Sequence, residues 1–284
     1  MGTNDELIAS WSKDKLDLLN DYLVAYARIM QSQKEARGWL RGFAYVDAFA
    51  SVGGYLDPET GGYVDGSPVV ALKCDPPFDR FWFIELSRAR LDRLRQETSA
   101  LTAGRDVHYE RGEANRVLVE KVIPNVRYAD YQRGFVFLDP YGLEVRWDTV
   151  CQLAAAKSFD VFMNLSTMGI ARLLNKRRLP TGAQRQPLDA IIGNGEWVDA
   201  LYSTQLDLFG DQHTTRPHIR HEHIAAAYTE RVRKLFPYVS EPVVMKNSKG
   251  ASLYVLFLAS HNPTAMRITN HIFARYERLR SVRV

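Results

Sequence analysis

Cysteine is scarce: Cys74 and Cys151 are the only two in 284 residues, and they lie far apart. That excludes a disulfide framework and argues against a thiolate metal site. Long apolar runs are also missing. The longest, around Val161 and Val255, fall well short of the roughly 20 residues that span a bilayer. The opening Met1-Gly2-Thr3-Asn4-Asp5-Glu6 has neither the basic start nor the apolar core of a signal peptide. Glu6 stands where an acylation signal needs Ser or Thr. A cytoplasmic protein without membrane attachment is expected. Neither G-x-G-x-x-G nor a Walker lysine is present, which argues against dinucleotide and P-loop chemistry. His213, His218, His221 and His223 share one stretch, but their spacing matches no zinc motif, so no metal is expected.

What is present reads as an ordered α/β protein. A hydrophobic fraction of 46% and a charged fraction of 25% are ordinary for a globular chain and exclude disorder. A net charge of +4 leans toward an anionic partner. Apolar residues at Trp11, Leu16, Leu19, Leu23, Tyr26 and Met30 predict an amphipathic helix, with a second helical piece over Gln33–Arg41. Lys13 and Lys15 fall among its charged residues; either is within reach of a crevice at the strand ends, but the surface is the expected place for both.

Continuous apolar runs then predict strands buried on both faces, as in a parallel sheet. They are Phe43–Asp47, Phe81–Glu85, a weaker one over Val107–Asn115 that leads into a loop, Phe135–Leu138 and Phe159–Leu165, with helices between them. Val243–Asn247 and Ser252–Ser260, joined through Ser248-Lys249-Gly250, predict an antiparallel hairpin before a basic helix over Pro263–Arg280. Residues 166–223 show helical pieces and no strand signal. The expected organisation is an N-terminal helical segment (1–42), a doubly wound core (43–165 and 224–284), and a basic, mainly helical insertion (166–223) serving as lid or substrate-binding segment.

Three of the strands run into acids: Asp47, Glu85 and Asp139. In an open α/β sheet such ends line one crevice, and an acid after the second strand suits a ribose diol. Leu86 offers an apolar wall for the base, with Glu113 and Ala114 at its edge. Gly53 and Gly54 permit positive φ and a close backbone approach to a ligand. In Phe137-Leu138-Asp139-Pro140-Tyr141-Gly142, Pro140 removes a ladder donor and stops the strand, leaving an acid and a ring at its carboxyl end. Arg172, Lys176, Arg177, Arg178 and Arg185 in the insertion suggest a phosphate-contacting face for DNA or RNA.

Taken in order, Asp47-Ala48-Phe49-Ala50 with Gly53, Phe83-Ile84-Glu85, Gly112-Glu113-Ala114-Asn115 and Asp139-Pro140-Tyr141-Gly142 resemble the motifs of class I S-adenosylmethionine-dependent methyltransferases. More narrowly, with Trp11–Leu16 and Leu253–Ser260, they resemble the three-Cys-motif partner (TcmP) proteins, over nearly the whole chain. The resemblance implies a Rossmann-like, mostly parallel sheet with a terminal antiparallel strand. It implies S-adenosylmethionine as methyl donor, held by Asp47, Phe49, Gly53, Gly54, Glu85 and Glu113, and a separate three-Cys-motif protein as partner. Ser51 stands where the family pattern usually has glycine, and Glu113 where Asp is commoner.

Asp139-Pro140-Tyr141 is similar to the Asp-Pro-Pro-Tyr of amino-methylating enzymes, one residue shorter, and also to the Asp-Pro-Phe-Gly of tRNA guanine dimethyltransferases. It therefore implies methylation of an exocyclic nucleobase amine, with adenine favoured and guanine open. Asp139 would accept the amine N–H and Tyr141 would stack on the base. The rival expectation is a non-catalytic nucleoside- or nucleic-acid-binding subunit of a partner enzyme.

Overall fold

The computed structural model describes residues 10–57, 60–174, 179–195, 197–206, 212–215, 221–246 and 252–282. Its central sheet is built from Gly42–Asp47 (β1), Arg80–Glu85 (β2), Asp106–Arg111 (β3), Gln132–Leu138 (β4), Phe159–Leu165 (β5), Tyr238–Val239 (β6), Val243–Lys246 (β7) and Ser252–Ser260 (β8). Successive side chains on a strand point to opposite faces. Phe43, Tyr45, Phe81, Phe83, Phe135, Phe137 and Phe162 therefore gather on one side of the sheet. Ala44, Val46, Trp82, Ile84, Val136, Leu138 and Val161 gather on the other. Both faces are apolar, so both must be covered.

The strand order is β3-β2-β1-β4-β5-β8-β6, with β7 also on β8. β1 to β5 are parallel, and β8 runs antiparallel to β5. This is a Rossmann-like, mostly parallel sheet with an antiparallel edge. The expected hairpin is present as β7 on β8, although its turn, 248–250, lies outside the described residues. β6, a two-residue strand, carries too little pattern to be read from sequence.

The ring-rich face is covered by α1 (Ser10–Arg37), which is continuous where two pieces were expected. No glycine or proline interrupts it, and Gly38, at φ +62°, follows its end. Leu19, Tyr22, Leu23 and Tyr26 are buried against the sheet, and full burial of an apolar side chain of this size contributes about 1.5–3 kcal/mol. Tyr22 packs on Phe135 (5.3 Å between centroids) and donates its hydroxyl to Asp160 Oδ2 at 3.0 Å. On the aliphatic face, the helices Thr167–Leu173, Arg185–Ile192 and Trp197–Leu201 bury Ile170, Leu188, Ile191 and Trp197 in the same cluster as the sheet residues.

The expectation of no strand within 166–223 is corrected by a short antiparallel pair, Ser203–Leu206 with Gln212–Thr215. Its polar Ser, Thr and Gln residues lack the apolar alternation that would announce it. Among the described residues, no helix is long and apolar enough to cross a membrane.

Candidate active site at the strand ends

The register decides which acids meet. Asp47 lies opposite Phe83 of β2 and Phe137 of β4. Glu85 and Asp139 therefore reach two residues further along the strand direction, about 6–7 Å at 3.2–3.4 Å per residue. Above this step opens a cavity of about 860 Å³, lined among others by Glu85, Leu86, Glu113, Asp139, Asn164 and Lys15. Its size falls in the range of small-molecule sites, about 300–1,000 Å³. The charged side chains lining it are Glu85, Glu113, Asp139 and Glu144 against Lys15 and Arg90, so carboxylates prevail.

Asp139 is held on both oxygens. Lys15 Nζ, from α1, sits 2.5 Å from Oδ2, and Asn164 Nδ2, near the end of β5, donates to Oδ1 at 2.7 Å. Lys15 is only 7% exposed, and its ammonium also lies 5.9 Å from the Tyr254 ring centroid. The expectation of a surface Lys15 is thus corrected. Lys13 is exposed, 3.7 Å from Asp57. Pro140 lines the cavity, and the side chain of Tyr141 beside it is fully exposed rather than packed.

Asp47 has a different place. It is completely buried and is not among the cavity-lining residues; it accepts from Tyr45 Oη at 3.0 Å and from the Phe49 amide at 3.3 Å. Burial pushes its carboxyl up to about 6, against hydrogen bonds from Ser67 and Tyr45 that pull it down, and the nearby charge of Asp139 adds to the rise. Through these bonds it ties the loop after β1 to the start of the helix Ser67–Leu72, set back from the cavity lining.

No protein-family model matches the chain, and no curated protein matches it. Three solved structures show a distant likeness. They are a putative methyltransferase, yhhF, from Escherichia coli (14% identity, 84% of this chain and 87% of that chain, TM-score 0.33), an S-adenosylmethionine-dependent methyltransferase from Clostridium acetobutylicum (11% identity, 87% and 92%, TM-score 0.36), and protein LPL1258 from Legionella pneumophila (12% identity, 84% and 96%, TM-score 0.39). At such distances the chain's own geometry has to carry the chemistry.

The loop after β1 keeps its tight turn without the glycine. Ser51, which lines the cavity, adopts φ +52°, the left-handed region that costs an L-residue roughly 1–2 kcal/mol. Strain of this kind gathers at ligand sites. Phe49 lines the cavity, but Gly53 and Gly54 do not. The Gly53 amide donates to Glu97 Oε2 at 2.8 Å, and Gly54 is paired in the two-stranded ribbon Gly54–Leu56 with Tyr63–Asp65. Both backbones thus have protein partners.

Glu85 is buried at the end of β2, where Oε1 accepts from the Ser87 amide at 2.7 Å, while Leu86 next to it is 69% exposed. Glu113 caps the helical turn Ala114–Val117, accepting from the Asn115 and Arg116 amides. Burial raises its carboxyl, but the hydrogen bonds from the Asn115 side chain and from both amides outweigh that and hold it below its ordinary value. Ala114 lines the cavity beside it. Of the proposed phosphate contacts, Arg172 is exposed and Arg185 forms an ion pair with Asp189 at 3.3 Å. Lys176, Arg177 and Arg178 lie outside the described residues. Among the described residues, no group of three or more His, Cys, Asp or Glu is arranged to hold a metal.

Sequence reasoning gave no role to Asn115 and Asn164, and for Lys15 it favoured the surface over the crevice. Asn115 is buried and joins two loops: Nδ2 donates to Glu144 O at 2.8 Å, and Oδ1 accepts from the Arg146 amide and Thr149 Oγ1, each at 2.8 Å. A signal existed for Lys15. It continues the buried stripe of Leu19, Tyr22 and Tyr26 at helical spacing, so a cation at its end had to be buried. Asn164 was legible as a polar residue inside a buried strand.

Proposed function

We propose that the chain is an S-adenosylmethionine-dependent methyltransferase whose acceptor is an exocyclic amino group of a nucleobase, adenine in preference to guanine, in DNA or RNA. The observation that carries this is the placement of Glu85 and Asp139-Pro140-Tyr141 at the ends of β2 and β4, the two strands that flank β1, around one cavity. The residues present suit the donor. Glu85 offers a carboxylate for a ribose diol, Leu86 and Phe49 offer apolar surface for a base, and the excess of carboxylates suits a cationic sulfonium.

When bound, the donor supplies an electrophilic methyl group. The chain's own residues position the acceptor. Asp139 accepts an N–H of the amine, aligns its lone pair, and takes the proton that leaves the nitrogen once the N–C bond has formed, passing it to solvent. The exposed Tyr141 stacks on a base turned out of its helix, a contact contributing about 1–3 kcal/mol. Arg172 and Arg185 contact phosphates, and a three-Cys-motif protein serves as partner.

Calorimetric titration with S-adenosylmethionine tests the donor. No binding at high micromolar ligand overturns the proposal, and Glu85→Ala should weaken binding about 10- to 100-fold, the value of a charged hydrogen bond. Tritium transfer from labelled donor to DNA or RNA, lost in Asp139→Ala, tests the chemistry. One observation favours a second reading, a non-catalytic binding subunit: both Asp139 oxygens are already engaged, by Lys15 and Asn164. Donor binding with no transfer to any nucleic acid supports that reading.

A further inference from the structure

We propose that Lys15 is a specificity-determining residue: by neutralising Asp139, it makes the acceptor end of the cavity refuse protonated alkyl amines and accept an uncharged amino group. This rests on the methyl-transfer reading and narrows its acceptor. A lone carboxylate at the mouth of a crevice attracts ammonium groups as readily as neutral N–H donors. Here the carboxylate is paired at 2.5 Å with a lysine that is 7% exposed, so water screens the pair only weakly. A second cation placed against Asp139 meets the ammonium of Lys15 at close range, and the attraction and repulsion largely cancel. A neutral planar amine meets no such repulsion. It still finds acceptor lone pairs on Asp139, and it keeps its own lone pair for the methyl group.

Asn164 supports the same assignment. It is 5% exposed, and its Nδ2 is committed to Asp139 Oδ1. Its own Oδ1 is buried without a hydrogen-bond partner among the described residues. An orphaned buried carbonyl is a cost to folding. A side chain kept there at that cost fixes the plane of the Asp139 carboxylate, with Lys15 holding the other oxygen. The acceptor end is thus rigid and locally neutral, while carboxylates line the rest of the cavity.

The test is a binding measurement and needs no turnover. Wild type, Lys15→Met and Lys15→Arg are each saturated with S-adenosylhomocysteine and titrated at pH 7 with 9-methyladenine, a neutral amine, and with n-butylammonium. Wild type should favour 9-methyladenine at least tenfold. Lys15→Met should shift that ratio toward n-butylammonium by tenfold or more, and Lys15→Arg should keep the wild-type ratio. An unchanged ratio in folded Lys15→Met overturns the proposal. If that variant does not fold, equal affinity of wild type for the two probes overturns it instead. Failure of wild type to bind S-adenosylhomocysteine sinks the methyl-transfer reading separately, because the probe ratio measured without it still tests the charge claim.

Discussion

Replacing Asp47 by Asn should flatten the dependence of stability on pH. Asp47 is fully buried beneath the cavity, and burial lifts its carboxyl from an ordinary 3.8 to about 6. A carboxyl with a raised value binds its proton more tightly in the folded state than in the unfolded one. Its stabilising contribution is therefore complete below pH 3.8 and is lost as pH rises through about 6. At 1.36 kcal/mol for each pH unit, the difference amounts to about 3 kcal/mol. Urea unfolding at pH 4, 5, 6 and 7 and constant ionic strength measures it. The stability of wild type relative to Asp47→Asn should fall by about 2.4 kcal/mol from pH 4 to pH 7, since part of the loss has already occurred at pH 4, with similar denaturant slopes. Parallel profiles for the two proteins would refute the reasoning, because they would mean that Asp47 ionises inside the fold without penalty.

The buried pair makes a second prediction by urea unfolding: Lys15→Met strands a carboxylate and costs about 3–5 kcal/mol, while the double variant Lys15→Met/Asp139→Asn recovers more than 1 kcal/mol of it. Asn115→Ala removes partners from Glu144 O, the Arg146 amide and Thr149 Oγ1 at once, and should cost roughly 2–4 kcal/mol in the same assay. Asn115→Asp should not rescue it, because it cannot donate to Glu144 O. At Ser51, φ +52° means that thermal unfolding should rank Ser51→Gly above Ser51→Val by about 1–2 kcal/mol, since a β-branched residue tolerates the left-handed region poorly. Equal melting of the two variants would show that the turn relaxes at no cost.

Four of the parallel strands were legible because each carries a short, nearly unbroken apolar run closed by turn residues, and a strand covered on both faces needs that composition, whereas β3, at the sheet edge, has only Val107 and Tyr109 as apolar residues and read weakly. Pro140 likewise announced where β4 stops. The pair Ser203–Leu206 with Gln212–Thr215 escaped because its polar composition gives no period-two signal. The split of α1 into two helices was an error of the opposite kind. No helix-breaking residue separates Met30 from Gln33, and the helix continues until Gly38 ends it.

Asp47, Glu85 and Asp139 look equivalent when read along the chain, for each closes an apolar run. Local composition determined that all three stand at carboxyl ends, and with it the chemistry a crevice there would offer. Only the tertiary structure decided that Asp47 lies two residues deeper and supports the site from below, because strand register depends on partners distant in sequence. It alone also decided that Lys15 faces Asp139 across 124 residues and that Gly53 answers to Glu97. A side chain's chemistry is intrinsic, whereas its partner is chosen by packing, and packing is a property of the whole chain.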